Sequence, residues 1–533
     1  FTIRLGGPSD LSVAYGVLSA TYGSPREPVV FETAVRRHGE SSMIDRLEVT
    51  PQPRYAQVRV WTWRTLSLDA FGPGEAELVI TTRREKAEAQ GDGSDGATTM
   101  VLLAEPVVSA LQPDPQETRN VILVSLDTLR ADHLGCYGYA RPTSPVLDAF
   151  ARDGILFETV VAQSSWTLPS HVSMLSSLFV STHGLMVGSD SIRRIDMLAS
   201  ILKREGFRTK AIADGGYMAP EYGFPLGFES YESYRYSGFE AILPAAEEWL
   251  RNHASVPFFL FLHTYDVHHP WKPPPRFQER FPPPPTGGSP PSHEAVTIPV
   301  RHFAALTDPE QREADLRYVI DMYDASIMYV DEGMGELFSL LKELGLWEDT
   351  LVIVTSDHGE EFFEHGRILH RHALYDETAL VPLMVHAPGI NEATRVGGLA
   401  QLLDIPPTVL DFLGIEYDGM FQGQSLLGRL DGASSEPAAA YSELLELIAR
   451  RTLTEKVIHN PGKNQTEIYD LANDPGEKRD LTEQGEERPA AVKDLLEFRE
   501  TNRGLGALRR TGATVQLSEE LEESFRRLGY MDR

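Results

Sequence analysis

From Asn120 onward the chain alternates short unbroken apolar runs with longer stretches in which apolar residues recur at helical spacing. "NVILVSLD" is followed by "SPVLDAFARDG", and "MLASILKREG" by "TKAIAD". Further on, "ILPAAEEWLRNH" precedes "PFFLFLHTYD", and a long helical pattern from Arg312 to Leu346 precedes "TLVIVTSD". Continuously apolar strands separated by amphipathic helices predict a largely parallel sheet covered by helices on both faces, an α/β fold.

The first 110 residues or so have a different texture. "PVVFETAVRR", "DRLEVTPQ", "YAQVRVWTW" and "EAELVITTRR" are short β-branched or aromatic runs separated by Gly, Pro and Ser, which predicts an antiparallel β sandwich, an accessory module. "EKAEAQGDGSDGATT" reads as an exposed loop within it and "LQPDPQETRN" as a linker out of it. With 533 residues the chain exceeds one hydrophobic core. The expected division is a β-rich module over 1–115, an α/β catalytic domain over 116–415 and a C-terminal subdomain over 416–533. The stretch Pro270–Pro299, with "KPPPRF" and "FPPPPTGGSPP", is expected to hold no regular element. Following a histidine-rich strand end, it either walls a pocket or stands as a simple surface insertion. Trp61 and Trp63 alternate onto one strand face, suited equally to sugar stacking and to a sandwich core.

Charge narrows the function classes. A net charge of -29 argues against nucleic-acid duplex binding, which depends on Lys and Arg, so an anionic substrate needs local positive charge such as a metal. The single cysteine, Cys136, excludes an intrachain disulfide framework and a multi-cysteine zinc site, and reads as a small buried residue. No uncharged apolar run reaches the length of about 18 residues that a membrane span requires. The chain opens on Phe1, which is compatible with a removed signal or anchor, and a periplasmic or secreted location is expected.

The candidate chemistry lies at strand ends. Asp127 ends "NVILVSLD", and Asp357 with His358 ends "TLVIVTSDH", the position where open α/β sheets place their ligand crevices. Alone, Asp127 reads as a cap or turn residue. Together the three are a divalent-cation ligand set, because one cation satisfies several buried carboxylates. Thr167 stands in "SSWTLPSHVSML", where Pro169 suits a first helical position. That places Thr167 just before a helix N-terminus, whose free amides and dipole stabilise an oxyanion. In isolation the same pattern is only a helix cap.

"NVILVSLDTLRADHLGCYGY", "TLPSHVSMLSSL", "HTYDVHHPW", "VTSDHGEEFFEHG" and "LYDETALVPLMVHAPG", in this order, resemble the sulfatase family of the alkaline phosphatase superfamily. The resemblance runs from about Thr118 to the C-terminus. "TEIYDLANDPGEKRDL" is similar to the family's closing segment, a small sheet beside the core. It implies an alkaline-phosphatase-like, mostly parallel sheet with a small C-terminal α+β subdomain. It further implies Asp127, Asp357 and His358 as metal ligands, Thr167 as nucleophile and additional ligand, and His268 as a residue contacting substrate or assisting the leaving group. A basic residue is expected in "ILHRHALYDE", where Arg371 falls nearest and His370 and His372 are its rivals.

Three departures from the family pattern change the chemistry. Typical sulfatases convert a cysteine or serine to formylglycine, which Thr167 cannot become. His171 stands where an arginine is expected four residues after the nucleophile, and Thr128 where a second aspartate is common. The metal is expected to be zinc, manganese or calcium, with histidine in the site favouring the first two. Asp266, His269, His365, His370 and His372 are candidates for a second metal. A threonine ester must be hydrolysed by water, which suits phosphorus esters. The expected function is therefore a metal-dependent hydrolase of phosphoesters (mono-, di- or phosphonate) or sulfate esters through Thr167, phosphoesters ahead. A phosphoryl-group transferase using the same threonine and a catalytically silent sulfatase-like binding protein are the other two readings.

Overall fold

The computed structural model describes residues 2–5, 9–19, 29–37, 40–49, 62–68, 71, 74–84, 99–103 and 107–110. It also describes 120–511, apart from 189, 193–194, 235–236, 282–290, 298, 391–392 and 431–436. The chain divides into two compact units, Phe1–Thr118 and Arg119–Arg533. The first contains two antiparallel sheets. Thr2–Leu5, Gly74–Arg84, Val29–Arg37 and Glu40–Val49 lie in that order in one, with Val30, Phe31, Val35 and Leu78 buried. Ser9–Ser19 is central in the other, paired with Thr62–Ser67, Thr99–Leu103 and Val107–Ala110. Trp61 and the side chain of Trp63 lie outside the described residues, as does most of the loop from Glu85.

The second unit is built on an eight-stranded sheet. Its strands are β1 (Asn120–Leu126), β2 (Ile155–Val161), β3 (Arg208–Ala213), β4 (Ser230–Ser233), β5 (Phe258–Thr264), β6 (Thr350–Thr355), β7 (Leu380–His386) and β8 (Thr394–Gln401). Their order is β4-β3-β5-β1-β6-β7-β2-β8, and only β7 runs antiparallel to both its neighbours. The helices are α1 (Pro145–Asp153), α2 (Thr167–Ser176), α3 (Leu198–Arg204), α4 (Gly238–His253), α5 (Pro309–Glu343) and α6 (Ile405–Leu413). The α/β expectation therefore holds.

Side-chain alternation divides the core in two. Odd-numbered residues Val121, Leu123, Phe259, Phe261, Leu351 and Ile353 face α2, α3 and α6. Even-numbered Ile122, Val124, Leu260, Leu262, Val352 and Val354 face α1, α4 and α5. Both faces are covered, so the central strands β1, β5 and β6 carry apolar residues on both sides of the sheet. The 35-residue α5 starts at Asp308, whose side chain accepts from the Glu310 amide, and Pro309 supplies its first turn.

Two local expectations are corrected. The proline-rich excursion contains the short helices Pro275–Gln278 and Glu294–Thr297, since a proline's fixed φ starts a helical turn as readily as it ends one. Pro169 is the third residue of α2 and Thr167 the first, with Trp166 as N-cap. Proline is tolerated there because the first amides of a helix have no intrahelical acceptor.

After α6, the antiparallel strands Ala440–Leu444, Leu447–Arg451, Glu455–Asn460 and Gln465–Asp470 form a second sheet, followed by α7 (Pro489–Thr511). Its anchor on the larger sheet's loops is ionic. Buried Lys456 reaches Asp376 Oδ1 at 2.7 Å and Glu477 Oε1 at 3.0 Å, and Arg451 Nη2 reaches Asp376 Oδ2 at 3.0 Å. Glu477 also accepts from the Asp376 amide through a carboxylate oxygen and from His365 Nε2 through its carbonyl. Cys136 is half-buried, and burial pushes its thiol up to about 12. Among the described residues no helix is long and apolar enough to cross a membrane.

Removing one partner of a buried ion pair strands the other charge. Lys456→Ala is expected to lower unfolding stability by about 3 kcal/mol, measured as a shift of the denaturant midpoint at unchanged slope. Exposed Lys493, paired with Glu497 at 3.4 Å and 75% accessible, serves as the control, with an expected effect below about 0.5 kcal/mol.

A buried acidic centre at the strand ends

Strand register builds the centre. In the parallel arrangement Ser125 of β1 lies opposite His263 of β5 and Thr355 of β6. Two residues on, Asp127 and Asp357 are therefore level at the ends of neighbouring strands, and both continue the odd-numbered stripe that faces α2. Asp127, Asp357 and His358 are fully buried, and one ligand atom from each lies within 4.8 Å of the others.

Helix α2 closes this stripe from above. Thr167, Ser170 and His171 share one helical face while Leu168, Val172 and Leu175 pack into the core. Thr167 Oγ1 donates to Asp127 Oδ2 at 3.4 Å, and Ser170 Oγ donates to the Asp357 carbonyl at 2.6 Å. No side chain caps the first amides of α2, so the positive end of the helix dipole stays directed at Thr167.

The histidine tautomers follow from their carbonyl partners, since a carbonyl only accepts. His358 Nδ1 donates to the Gly359 carbonyl at 2.9 Å, which leaves the Nε2 lone pair facing Asp357 Oδ2 at 3.3 Å and Asp127 Oδ1 at 3.8 Å. His171 Nδ1 donates to the Thr167 carbonyl at 2.9 Å and lies 3.3 Å from Asp357 Oδ2, while its Nε2 accepts from Ser125 Oγ at 2.9 Å. Burial pushes His171 down to about 3, so it is a neutral imidazole and not a replacement for arginine's charge. His263 Nδ1 donates to the Asp214 carbonyl at 2.7 Å, turning its Nε2 lone pair against Asp127 Oδ2 at 3.2 Å.

This arrangement concentrates acceptors. Asp127 Oδ1, Asp357 Oδ2 and His358 Nε2 are buried without a hydrogen-bond partner. Burial pushes Asp127 up to about 7, despite the opposing effect of His358. Burial lowers His358, but Asp357 and Asp127 outweigh it and its pKa lies above the ordinary value. The side chains by themselves thus favour a shared proton, and a divalent cation neutralises the same charge more fully. Two carboxylates, an imidazole nitrogen and the Thr167 hydroxyl are an oxygen- and nitrogen-rich donor set suited to zinc or manganese.

The other candidate residues fall in different places. His370 packs against His358 with ring centroids 4.4 Å apart, and its Nδ1 pairs with buried Glu360 Oε1 at 2.8 Å. His268 lies beside His370 at 5.0 Å, but both its nitrogens are engaged in its own loop, Nε2 with Tyr265 Oη at 2.7 Å and Nδ1 with the His269 carbonyl. Burial holds both imidazoles well below their ordinary pKa. Arg371 sits outside the buried cluster, exposed, over the Trp166 ring.

Of the residues considered for a second metal, His370 lies beside His358, and Asp266, His365 and His372 are spent on other partners. Asp266 accepts from the Phe239 amide at the start of α4, His372 pairs with Glu361 at 2.6 Å, and His365 pairs with Glu377 at 2.6 Å. Glu361, His365 and Glu377 are themselves within 4.8 Å of one another. Glu361 and His365 already spend their polar atoms on hydrogen bonds, including the two that Glu361 Oε1 accepts from the His365 and Arg367 amides. Thr128 supplies no ligand: its hydroxyl turns back to the Asp127 carbonyl, and its left-handed backbone, φ 59°, is held by Tyr323.

Glu360 belongs to this centre but was not selected from the sequence, and His263, which begins the histidine-rich strand end His263–His269 with its metal-ligand residue types, was given no role of its own. The signal for His263 is a polar residue at an odd position one before the end of β5. Glu360, inside "GEEFFE", looks like part of a solvated acidic run, yet burial pushes it up to about 8.

Comparison with known proteins gives the same assignment across most of this unit. The sulfatase family model matches residues 119–415, and a model described as N-sulphoglucosamine sulphohydrolase, C-terminal, matches 363–500. An N-acetylglucosamine-6-O-sulfatase of Bacteroides thetaiotaomicron is 24% identical over 71% of this chain and 86% of its own. The fold is similar to that of a protein solved with its substrate D-glucosamine-2-N,6-O-disulfate, with TM-score 0.60 at 20% identity over 73% of this chain and 98% of that one. It is also similar to a phosphonate monoester hydrolase of Agrobacterium radiobacter, with TM-score 0.59 at 23% identity over 75% and 98%.

Protein purified without chelator is expected to carry about one divalent ion per chain, and added zinc or manganese to raise its melting temperature. Asp357→Asn removes one orphan acceptor and is expected to weaken that response at least tenfold in metal concentration, read by thermal shift and elemental analysis. A wild-type stoichiometry well below one would overturn the metal assignment.

Proposed function

The chain belongs to the sulfatase family, and on that basis we propose that it is a metal-dependent ester hydrolase in which the Thr167 hydroxyl is the nucleophile. Phosphoesters and phosphonate esters are its preferred substrates, ahead of sulfate esters. The observation that carries this reading is the position of Thr167 Oγ1. It sits on the first residue of an uncapped helix N-terminus, 3.4 Å from Asp127 in the centre where three buried acceptor atoms have no other partner.

Asp127, Asp357 and His358, with Thr167, would hold the ion, which when bound supplies positive charge that lowers the hydroxyl pKa and neutralises ester oxygens. The protein's own residues account for the rest. Asp127 Oδ2 accepts the hydroxyl hydrogen of Thr167. His171, neutral and held by Ser125 and the Thr167 carbonyl, fixes the first turn of α2 and thereby the position of that oxygen. The start of the helix stabilises the negative charge that develops there.

Residue chemistry favours phosphorus. A formylglycine hydrate expels sulfate by collapsing to an aldehyde, whereas threonine has no such route, so its ester must be cleaved by attack of water on the central atom. We assign that second step to His370. Its Nδ1 lies 2.8 Å from Glu360 Oε1, and it is the group assigned to take the proton from water. The solved phosphonate monoester hydrolase shares this fold, which supports the substrate class without assigning it.

The test is an aryl ester panel of sulfate, phosphate monoester, phosphodiester and phosphonate, assayed with added metal. Phosphorus esters are expected to be turned over fastest, and Thr167→Ala to lower kcat by at least about a thousandfold. Turnover unaffected by Thr167→Ala would refute the nucleophile. Product formed only with an added alcohol acceptor would favour a transferase, and no turnover of any ester would favour the silent binding protein.

A further inference from the structure

Arg371 is held in an unusual way for an arginine in so acidic a chain. Its amide donates to the Ser165 carbonyl at 3.1 Å, and its backbone takes a left-handed conformation, φ 71°, that side-chain-bearing residues rarely adopt. The guanidinium carbon then lies over Trp166, 4.1 Å from the ring centroid, and Nη1 donates to Tyr217 Oη at 2.9 Å. Trp166 is itself buried and meets Tyr217 edge to face at 5.0 Å, and Tyr217 leans on Tyr222 at 5.5 Å. Three aromatic side chains thus form a fixed seat for one cation.

The remaining donors of that cation are uncommitted. Asp and Glu outnumber Lys and Arg by 78 to 49, and Arg130, Arg141 and Arg276 each pair with a carboxylate. Among the described residues Arg371 has no carboxylate partner, although it is exposed. Its seat, Trp166, immediately precedes Thr167, and the residue before Arg371 itself, His370, packs on His358, so exposed Arg371 borders the buried centre. The centre's ligand atoms are fully buried, whereas Arg371 is tied to the rim by Trp166 and Tyr217, so it serves a different part of a bound molecule.

We propose that Arg371, seated on Trp166 and Tyr217, receives a second anionic group of the substrate, outside the ester under attack. The substrate class is then an ester whose leaving moiety carries a carboxylate, sulfate or phosphate. A planar guanidinium held on an aromatic face loses little freedom on pairing with such an oxyanion, which is why a seated arginine discriminates better than a free lysine. This inference rests on the proposed function of the Thr167 centre, and its test is chosen to separate the two.

The test measures equilibrium binding of phenylphosphonate and of 3- and 4-carboxyphenylphosphonate to metal-loaded protein, in wild type and in a Thr167→Ala background. Neither measurement needs turnover. At least one carboxylated probe is expected to bind about tenfold tighter than phenylphosphonate in both. Arg371→Ala should abolish that advantage, Arg371→Lys restore only part of it, and Tyr217→Phe reduce it about threefold. No advantage for either carboxylated probe would overturn the proposal, as would an Arg371→Ala loss of equal size for phenylphosphonate, which would place the arginine on the reacting group. A retained carboxylate advantage in a protein that hydrolyses no ester would refute the hydrolase reading and leave the anion seat standing.

Discussion

Two carboxylates buried side by side at the ends of neighbouring parallel strands are the constraint on which the rest of this molecule depends. Asp127 and Asp357 are fully buried, and each keeps an oxygen without a hydrogen-bond partner. Burying such a pair costs several kcal/mol per ion unless something positive answers them. The surroundings are organised around that need. The uncapped N-terminus of α2 points at them, and His358 turns its lone pair toward them because a carbonyl holds its other nitrogen. Arg130 does not take that role: its guanidinium is spent on Asp132, Glu364 and the Glu360 carbonyl.

Rigidity at this centre comes from the C-terminal sheet. The segment leading into Thr167 is held by Ala440–Leu444, with Ser164 Oγ donating to the Glu443 carbonyl at 2.7 Å and the Glu443 amide donating to the Gln163 carbonyl at 2.8 Å. The segment carrying His365 to Asp376 is held by Lys456, Arg451 and Glu477. Both chain segments that meet over the metal-ligand candidates are therefore fixed from outside the central sheet. Thr167 and His370, the nucleophile and proton acceptor of the proposed mechanism, therefore lie on segments tied to the same sheet. The family match of the C-terminal segment, over 363–500, begins inside the loop that carries His370 and Arg371, as expected if sheet and loop form one functional piece.

On the proposed reading, threonine at the head of α2 sets a different chemical problem from that of a formylglycine sulfatase on the same scaffold. The scaffold's charge is also different, since His171 is neutral where the family pattern has an arginine. On the proposed reading, positive charge around a bound ester comes from a cation held by Asp127, Asp357 and His358 and, at the rim, from Arg371. A fold of this kind positions ligands by strand ends and helix starts, and it leaves the identity of the bond cleaved to a few side chains.

The sequence by itself determined the alternation of strands and helices, and with it the two-faced sheet and its polar strand ends. Burial on both faces demands unbroken apolar runs, so Asp127, Asp357 and His358 stood out as interruptions. Thr167 was legible because a proline and a helical pattern follow it. What only the tertiary structure decided is which polar residues meet. His263 reaches Asp127 through strand register, Glu360 reaches His370 across a turn, and Trp166 and Tyr217 come together beneath Arg371 from positions far apart in the chain. It also separated Asp266, His365 and His372 from the centre, although their residue types and nearness in sequence had made them candidates. The physical reason is that periodicity is a local property, set by a residue's neighbours in the chain. A ligand set is a property of distance, fixed only when packing brings separate strands into register.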